Sequence, residues 1–299
     1  MPPSTPPSPP RHVPAVLNNA GALLAAYDVL FCDVWGVVHD GVRAYPGATD
    51  ALIRFRDKGG TVVLVTNAPV PKHRVEAMLE GRHVPPETYD DIVSSGEIAL
   101  RRIREQAYAA LHLIGPRARD AAFFERITAR DVPVEDAEAI ACTGLVDDIN
   151  ETAEDYRSVL ETARARNIPF VCANPDLVVE VGGKLFPCAG ALADLYQHLG
   201  GDVYWAGKPH LSAYEAAGAA AERIRGHATA PEKILVIGDA VRTDIAGADR
   251  AGLDALFIAG GIHRNETVQD DGTIDAGKLA ALFAGDAPRA LAAMTQLAW

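Results

Sequence analysis

Residues 27–38 decide the fold, and they read YDVLFCDVWGVV. The apolar run Val29–Cys32 ends in Asp33, and the turn that follows contains Trp35 and Gly36. An apolar strand that delivers a carboxylate to a glycine turn is typical of α/β proteins that present a nucleophile or a metal ligand. Residues two apart on an extended strand share a face, so we expect the Trp35 indole to lie beside the Asp33 carboxylate.

Similar apolar runs recur along the chain and alternate with amphipathic helical patterns. Near-continuous apolar strands separated by helices indicate a parallel sheet with helices on both faces. We therefore predict an α/β fold. The further predicted strands are Thr61–Val65, Asp91–Val93, Leu111–Ile114, Ala139–Cys142, Pro169–Cys172, Val203–Trp205, Ile234–Ile237 and Ala255–Ile258.

Composition and charge exclude several classes of function. The 299 residues carry a formal net charge of −12 with no compensating basic run, which argues against a nucleic acid or an anionic membrane as partner. No apolar stretch is long enough to span a bilayer and no standard secretory signal is present, so we expect a cytoplasmic protein. Residues 1–14 are rich in Pro and Ser and are predicted to be a disordered tail.

Polar residues directly after apolar strands are the candidates for a functional site, because ligands bind at the carboxyl ends of the strands in such sheets. Asp33, Thr66 and Asp239 each follow such a strand, and Asp244 and Lys208 lie shortly beyond two of them. Carboxylates suit Mg²⁺, whereas a lysine and a hydroxyl suit a phosphoryl group. A carboxylate can also be the nucleophile and form an aspartyl-phosphate.

Taken in order, the motifs resemble those of the haloacid dehalogenase (HAD) superfamily, specifically the class IIA, NagD-like and nitrophenylphosphatase-like hydrolases. The resemblance covers nearly all of the chain after the tail. It implies a Rossmann-like core, whose parallel sheet is flanked by helices, and a large inserted α/β cap domain. The matching motifs are DVWGV at 33–37, YPGA at 45–48, LVTN at 64–67, ANPD at 173–176, PCAGAL at 187–192, GKP at 207–209 and GDAVRTDI at 238–245.

The resemblance implies a Mg²⁺ site. Asp33 would attack phosphorus with one carboxylate oxygen and bind Mg²⁺ with the other. The backbone carbonyl of Trp35 would be another ligand, a role that does not depend on its side chain. Asp239 would bind the metal directly, and Asp244 would bind it through water or orient Lys208.

The resemblance also implies the groups that bind the substrate. Lys208 would neutralise the charge between nucleophile and phosphate, and Thr66 would donate to the phosphoryl oxygens, with Asn67 beside it. Asn174 and Asp176 belong to the cap segment that we expect to reach the pocket. The substrate would be a small phosphorylated metabolite, which the sequence does not name.

The expected division of the chain follows from the same resemblance. The core would comprise residues 15–105 and 203–299, and the cap residues 106–202. Closure of the cap would exclude water and add substrate contacts. Because related caps often dimerise, a homodimer is a further possibility.

The chain departs from the family at position 35, where phosphatases usually carry a second aspartate that protonates the leaving oxygen and then activates water. Trp35 can do neither. Such acid–base catalysis is worth about 10²–10⁴-fold, or roughly 3–5 kcal/mol of barrier. Turnover of alkyl phosphates is therefore expected to be slow. Turnover of aryl or acyl phosphates would be reduced least, because their leaving groups need little protonation. His39 and Asp40 are the nearby residues that could replace the acid.

Two alternatives to a phosphatase stay open. Trp35 is compatible with a regulatory protein that binds phosphate and metal without turnover. Different HAD chemistry, such as cleavage of a carbon–halogen or carbon–phosphorus bond, is the other alternative. The pair Asp239 and Asp244 argues against dehalogenation, because that reaction needs no metal.

Overall fold

The computed structural model describes residues 13–181 and 184–299, which are built on two parallel sheets flanked by helices. The predicted disordered tail, residues 1–14, lies outside the described residues except for its last two. The strands are β1 Ala15–Val16, β2 Val29–Cys32, β3 Thr61–Thr66, β4 Asp91–Ser94, β5 Ala110–Ile114, β6 Arg130–Asp131, β7 Ala139–Cys142, β8 Phe170–Cys172, β9 Val178–Val181, β10 Lys184–Pro187, β11 Val203–Trp205, β12 Ile234–Gly238, β13 Asp254–Ile258 and β14 Ala292–Met294.

Helices connect most of these strands. The Oγ atom of Ser94 accepts a hydrogen bond from the backbone N–H of Glu97 (3.2 Å) at the start of α4, which satisfies one free donor of the first turn. The α-helices are α1 Gly21–Leu24, α2 Pro46–Asp57, α3 Lys72–Glu80, α4 Ser95–Gln106, α5 Ala121–Phe124, α6 Arg157–Ala165, α7 Ala189–His198, α8 Leu211–Arg225, α9 Ala246–Ala251, α10 Arg264–Thr267 and α11 Ala276–Leu282. Three short 3₁₀ helices (Pro86–Thr88, Ala153–Tyr156 and Pro231–Lys233) and a π-helix (Val241–Ile245) complete the list.

The larger sheet has seven parallel strands in the order β1-β14-β13-β12-β2-β3-β4. Strand β2 lies between β12 and β3, with Cys32 opposite Ile237 on one side and Leu64 on the other. Because the three strands run in the same direction, their carboxyl ends lie at one edge of the sheet. This register is what brings the residues after these strands together.

The central strands are buried on both faces, which explains their continuous apolar sequence. In β2, Phe31 packs into the hydrophobic layer on one face of the sheet, and Leu30 packs into the layer on the other. Alternate side chains point to opposite faces of a strand, so both must be apolar when helices cover both sides. The predicted α/β fold is confirmed.

The smaller sheet has five parallel strands in the order β11-β8-β7-β5-β6, and an antiparallel hairpin of β9 and β10 accompanies it. Here the predicted boundary needs a correction. Val203–Trp205 pairs with Phe170–Cys172 and therefore belongs to this sheet, although the sequence boundary assigned it to the core. The sequence of a short apolar strand does not indicate which sheet the strand joins. The rest of the division into core and cap stays a prediction.

A shared hydrophobic layer connects the two sheets. Ile98 and Ile103 of α4 belong to the same buried cluster as Val63 of the larger sheet and Leu111 of the smaller one. The smaller sheet has its own layer on its other face, which includes Phe170 and Tyr196. In the part of the chain that the structure describes, no helix is long and apolar enough to cross a membrane.

Candidate active site

Three aspartates meet at the carboxyl edge of the larger sheet. Asp33 follows β2, and its backbone N–H donates to the carbonyl of Ile237 in β12 (2.8 Å). Asp239 follows β12 directly. One carboxylate oxygen each from Asp33, Asp239 and Asp244 lies within 4.8 Å of the others, and all three residues are buried. The strand-end argument from the sequence thus identified residues that the fold brings together.

Asp244 reaches this group through an unusual turn. It lies in the π-helix Val241–Ile245, a form that is rare and often found at functional sites. Its Oδ2 atom accepts from the backbone N–H of Ala240 (3.1 Å), and its backbone carbonyl accepts from the Tyr214 hydroxyl (3.1 Å). A Cβ at Gly238 would lie 2.2 Å from Asp244, so the close approach of the aspartate requires a glycine.

Lys208 connects two of the aspartates. Its Nζ atom donates to Oδ1 of Asp33 and to Oδ1 of Asp244, the latter at 2.7 Å. The lysine is only 3% exposed, so these carboxylates supply the partners that a buried ammonium needs. The contact places a positive charge directly against the Asp33 carboxylate.

The electrostatics reflect the crowding of negative charge in a buried site. Burial raises the pKa of Asp33 to about 7, although the positive charge of Lys208 opposes this effect. Burial, and then repulsion by Asp33 and Asp244, raises the pKa of Asp239 well above its usual value. Burial acts to lower the pKa of Lys208, but Asp244 and Asp33 outweigh it and raise that pKa.

The donor set fits a divalent cation. Three buried carboxylates face one ammonium group, and a hard cation bound by oxygen ligands would relieve their repulsion. No hydrogen bond within the described residues reaches the backbone carbonyl of Trp35, which leaves that oxygen available as well. Gly36 has a φ of 82°, and a Cβ there would lie 2.1 Å from Oδ2 of Asp239.

Thr66 and Asn67 differ in what they can still bind. The Oγ1 atom of Thr66 accepts from the backbone N–H of Ala68 (3.3 Å), so its proton is free for a ligand. The Asn67 amide donates to Oδ1 of Asp176 (2.9 Å) and to the Lys208 carbonyl (3.0 Å), and its oxygen accepts from the Lys208 N–H (2.9 Å). Both amide protons are used, so this geometry fits a positioning residue.

The predicted cap segment reaches the site. The Asp176 carboxylate accepts from the Asn67 amide, and the backbone N–H of Asp176 donates to Oδ1 of Asn174 (3.1 Å). Both Asn174 and Asp176 line the same cavity as the three aspartates. A Cβ at Gly190 would lie 2.4 Å from the carbonyl oxygens of Pro175 and Asp176. The close packing of this segment against position 190 therefore requires a glycine there.

Trp35 stands beside the site, and neither suggested replacement for the missing acid is suited to donate a proton. The Trp35 and His39 rings pack edge to face with centroids 5.3 Å apart. His39 is 2% exposed and its Nδ1 accepts from the backbone N–H of Gly41 (3.0 Å); burial lowers its pKa to about 4. Backbone N–H groups of Arg43 and Val42 lower the pKa of Asp40, so it is an anion at neutral pH.

A cavity of about 590 Å³ extends from the aspartates to the carboxyl edge of the smaller sheet. Seven carboxylates and three basic side chains of the described residues line it. The groups at the far end were not predicted, although they too follow apolar strands. They include Arg119, whose guanidinium contacts the carboxylates of Asp120 (3.2 Å) and Asp148.

Sequence reasoning also missed residues near the aspartates. The Ser95 hydroxyl donates to Oδ1 of Asn67 (3.2 Å), and it lies just past β4, where the strand-end rule would have found it. Neither Tyr214 nor Tyr45 was among the predicted site residues. The Tyr214 hydroxyl donates to the backbone carbonyl of Asp244, and Tyr45 lines the cavity.

Comparison with known proteins identifies the family. The model for haloacid dehalogenase-like hydrolases matches residues 30–133, and a HAD-hydrolase-like model matches residues 205–281. A solved structure of a haloacid dehalogenase-like hydrolase from Brucella suis 1330 is 43% identical to this chain, with a TM-score of 0.80, and covers 95% of this chain and 99% of that one. The chain belongs to the haloacid dehalogenase-like hydrolase family. It is therefore an enzyme of the hydrolase class.

Two further relatives indicate the branch of this HAD hydrolase. The ribonucleotide monophosphatase NagD of Escherichia coli K12 is 26% identical over 242 residues, which are 78% of this chain and 88% of NagD. The magnesium complex of a glycerol phosphate phosphatase from Mycobacterium tuberculosis is 25% identical with a TM-score of 0.62, over 80% and 70% of the two chains. The predicted class IIA assignment is confirmed, and the chain is a HAD hydrolase of a phosphatase family.

Proposed function

We propose that this HAD hydrolase is a Mg²⁺-dependent phosphatase that cleaves a small phosphate monoester through Asp33. The observation that carries the proposal is the buried contact between Asp33 and Lys208 beside the carboxylates of Asp239 and Asp244. A nucleophile, a fixed positive charge and a cation site then lie together, as phosphoryl transfer requires.

The side chains have separate roles in this proposal. The Asp33 carboxylate attacks phosphorus, and the bond from phosphorus to the leaving oxygen breaks, which forms an aspartyl-phosphate. Water then attacks the same phosphorus and restores the carboxylate. Lys208 holds Asp33 in place and offsets negative charge on the phosphoryl group, and the Thr66 hydroxyl donates to a phosphoryl oxygen.

Mg²⁺ would be held by the carboxylates of Asp33 and Asp239 and by the Trp35 carbonyl. Asp244 would not bind the metal directly and would instead orient Lys208, whose Nζ atom it accepts from. When bound, it would supply positive charge to the phosphoryl oxygens. Gly36 and Gly261 support this arrangement, because a Cβ at either would lie about 2 Å from Oδ2 of Asp239 (2.1 and 2.0 Å).

The charge of the cavity supports a substrate class. Apart from the three aspartates and the lysine of the proposed metal and phosphate site, the described lining residues include four carboxylates and two guanidinium groups, so a second anion on the substrate meets a repulsive field. We therefore propose a phosphate monoester whose leaving group carries hydroxyl groups and no second anion. The phosphatases similar to this chain act, by their names, on ribonucleotide monophosphates and on glycerol phosphate, which agrees with this class.

The test is a screen of phosphate esters with purified protein, with and without Mg²⁺. We expect release of phosphate that needs Mg²⁺ and is lost in Asp33→Asn. The control is Asp147→Asn, because Asp147 is exposed and lies outside the cavity. Activity that survives Asp33→Asn would exclude this nucleophile. Binding of inorganic phosphate and Mg²⁺ without turnover of any ester would favour the regulatory alternative.

A further inference from the structure

The leaving group needs a proton donor, a role that Asp33, Lys208 and Thr66 do not fill. Breaking the bond between phosphorus and an alkyl oxygen leaves an alkoxide unless a group on the enzyme protonates it. Trp35 cannot, since its indole N–H is a donor that does not ionise at physiological pH. His39 does not line the cavity, and its Nδ1 accepts a hydrogen bond. Asp40 is an ionised carboxylate.

The basic and aliphatic hydroxyl groups that line the cavity keep their protons, and the Asp176 carboxylate accepts a hydrogen bond from the Asn67 amide. The guanidinium groups of Arg74 and Arg119 do not deprotonate in proteins, and Lys208 is bound to two carboxylates. Aliphatic hydroxyl groups such as that of Thr66 are far weaker acids than a phenol, whose pKa is about 10. Tyr45 supplies the phenol, because its half-buried side chain lines the cavity together with Asp33 and Trp35.

The backbone brings Tyr45 back to the turn that follows Asp33. Trp35 forms a bridge with His39, and His39 forms a second bridge with Ala44, which precedes Tyr45. The backbone N–H of Tyr45 also donates to the carbonyl of Val38 (2.8 Å). The turn after Asp33 therefore folds back on itself and holds Tyr45 against Val38, in the same turn as Trp35.

Tyr45 is also fixed from the other side. Its carbonyl accepts from the N–H groups of Ala48 and Thr49 (both 3.1 Å), and Pro46 begins α2 directly after it. Burial and the nearby carboxylates of Asp40 and Asp239 raise the pKa of Tyr45, so the phenol is protonated at neutral pH. Its hydroxyl makes no hydrogen bond within the described part of the chain.

We propose that the Tyr45 hydroxyl is the acid that protonates the leaving oxygen, in place of the aspartate that Trp35 replaces. As the phosphorus–oxygen bond breaks, the phenol proton moves to the leaving oxygen, which leaves as an alcohol. Tyr45 is then a tyrosinate beside the aspartyl-phosphate. The water that attacks phosphorus gives its proton to the tyrosinate, so phosphate is released and both Asp33 and Tyr45 return to their starting states.

The inference rests on the proposed phosphatase function, and its test compares leaving groups. 4-Nitrophenyl phosphate has a leaving group that needs no proton, whereas glycerol 3-phosphate has an alkoxide leaving group. In Tyr45→Phe we expect kcat on the alkyl ester to fall by about 10²–10⁴-fold, and kcat on the nitrophenyl ester to change by less than about 3-fold. Tyr89→Phe is the matched control, because Tyr89 is half-buried and does not line the cavity.

The double variant Tyr45→Phe with Trp35→Asp gives a second readout. A carboxylate at position 35 should restore alkyl-ester turnover to the Tyr45→Phe enzyme, whereas a merely structural defect at position 45 would stay. Equal losses on both esters, or no loss on either, would overturn the role of Tyr45 and leave the phosphatase function intact. Wild-type protein that releases phosphate from no ester would overturn both.

Discussion

Asn67 and Lys208 are joined by two reciprocal hydrogen bonds. The backbone N–H of Lys208 donates to Oδ1 of Asn67 (2.9 Å), and the Asn67 amide donates to the carbonyl of Lys208 (3.0 Å). Asn67 follows β3 in the larger sheet, while Lys208 follows β11 of the smaller one. The side chain of Asn67 therefore fixes the backbone that carries the site's buried ammonium group, across the junction of the two sheets.

We expect Asn67→Ala to impair catalysis by displacing Lys208. It would leave the buried N–H and carbonyl of Lys208 unpaired, which costs about 1–3 kcal/mol of stability. If the transition state loses a similar amount of stabilising free energy, kcat/KM falls by roughly 10–100-fold. Steady-state kinetics and thermal unfolding of the variant measure both effects. Ser95→Ala is the control, because it removes a single hydrogen bond to Asn67 and keeps both hydrogen bonds between Asn67 and Lys208. An equal loss of kcat/KM in Ser95→Ala would contradict the role of those two hydrogen bonds.

Gly36 offers a test that separates the metal site from backbone strain. Its φ is 82°, and that of Gly59 is 88°, but only at Gly36 would a Cβ meet Asp239. Alanine in this region of φ costs about 1 kcal/mol or more at either position. We expect Gly36→Ala to abolish Mg²⁺-dependent activity and Gly59→Ala to keep it. Activity assays over a Mg²⁺ titration measure the difference, and similar activity in the two variants would show that Asp239 tolerates the added methyl group.

The fold and the metal-site candidates could be predicted because each rests on a local pattern. Apolar runs that end in Asp33 and Asp239 mark strands and their carboxyl ends, whatever the rest of the chain does. The strand Val203–Trp205 was assigned to the wrong side of the predicted boundary because its partner depends on packing between distant segments. Tyr45 was missed for the same reason, since its position depends on two bridges within a turn.

The raised pKa of Asp33 predicts how Mg²⁺ stabilises the protein at different pH values. In the metal-free fold this pKa is about 7, compared with 3.8 for the ordinary carboxyl group, so the folded state binds more protons between these values. The stability of the metal-free protein should therefore fall as the pH rises from about 4 to about 7. Mg²⁺ favours the ionised carboxylates, so the gain in Tm on adding it should grow over the same window.

Differential scanning fluorimetry with EDTA or with Mg²⁺, between pH 5 and pH 8, measures this gain. The Asp33→Asn variant is the control, because an amide does not ionise and one of the repelling charges is gone. We expect its metal-free form to lose less stability with rising pH and to gain less from Mg²⁺. A gain in Tm that is the same at pH 5 and pH 8 in the wild-type protein would contradict the prediction.

The acidic far end of the cavity predicts discrimination against a second anion on the substrate. Glycerol 3-phosphate and 3-phosphoglycerate are a matched pair that differ mainly by a hydroxymethyl group in place of a carboxylate. We expect kcat/KM to favour glycerol 3-phosphate by at least about 10-fold, or 1.4 kcal/mol. Asp148→Asn should narrow this ratio, because it removes a negative charge and releases the Arg119 guanidinium that Asp148 binds. Asp147→Asn, which changes an exposed neighbour outside the cavity, should leave the ratio unchanged. A ratio that Asp148→Asn does not alter would show that this end of the cavity does not meet the leaving group.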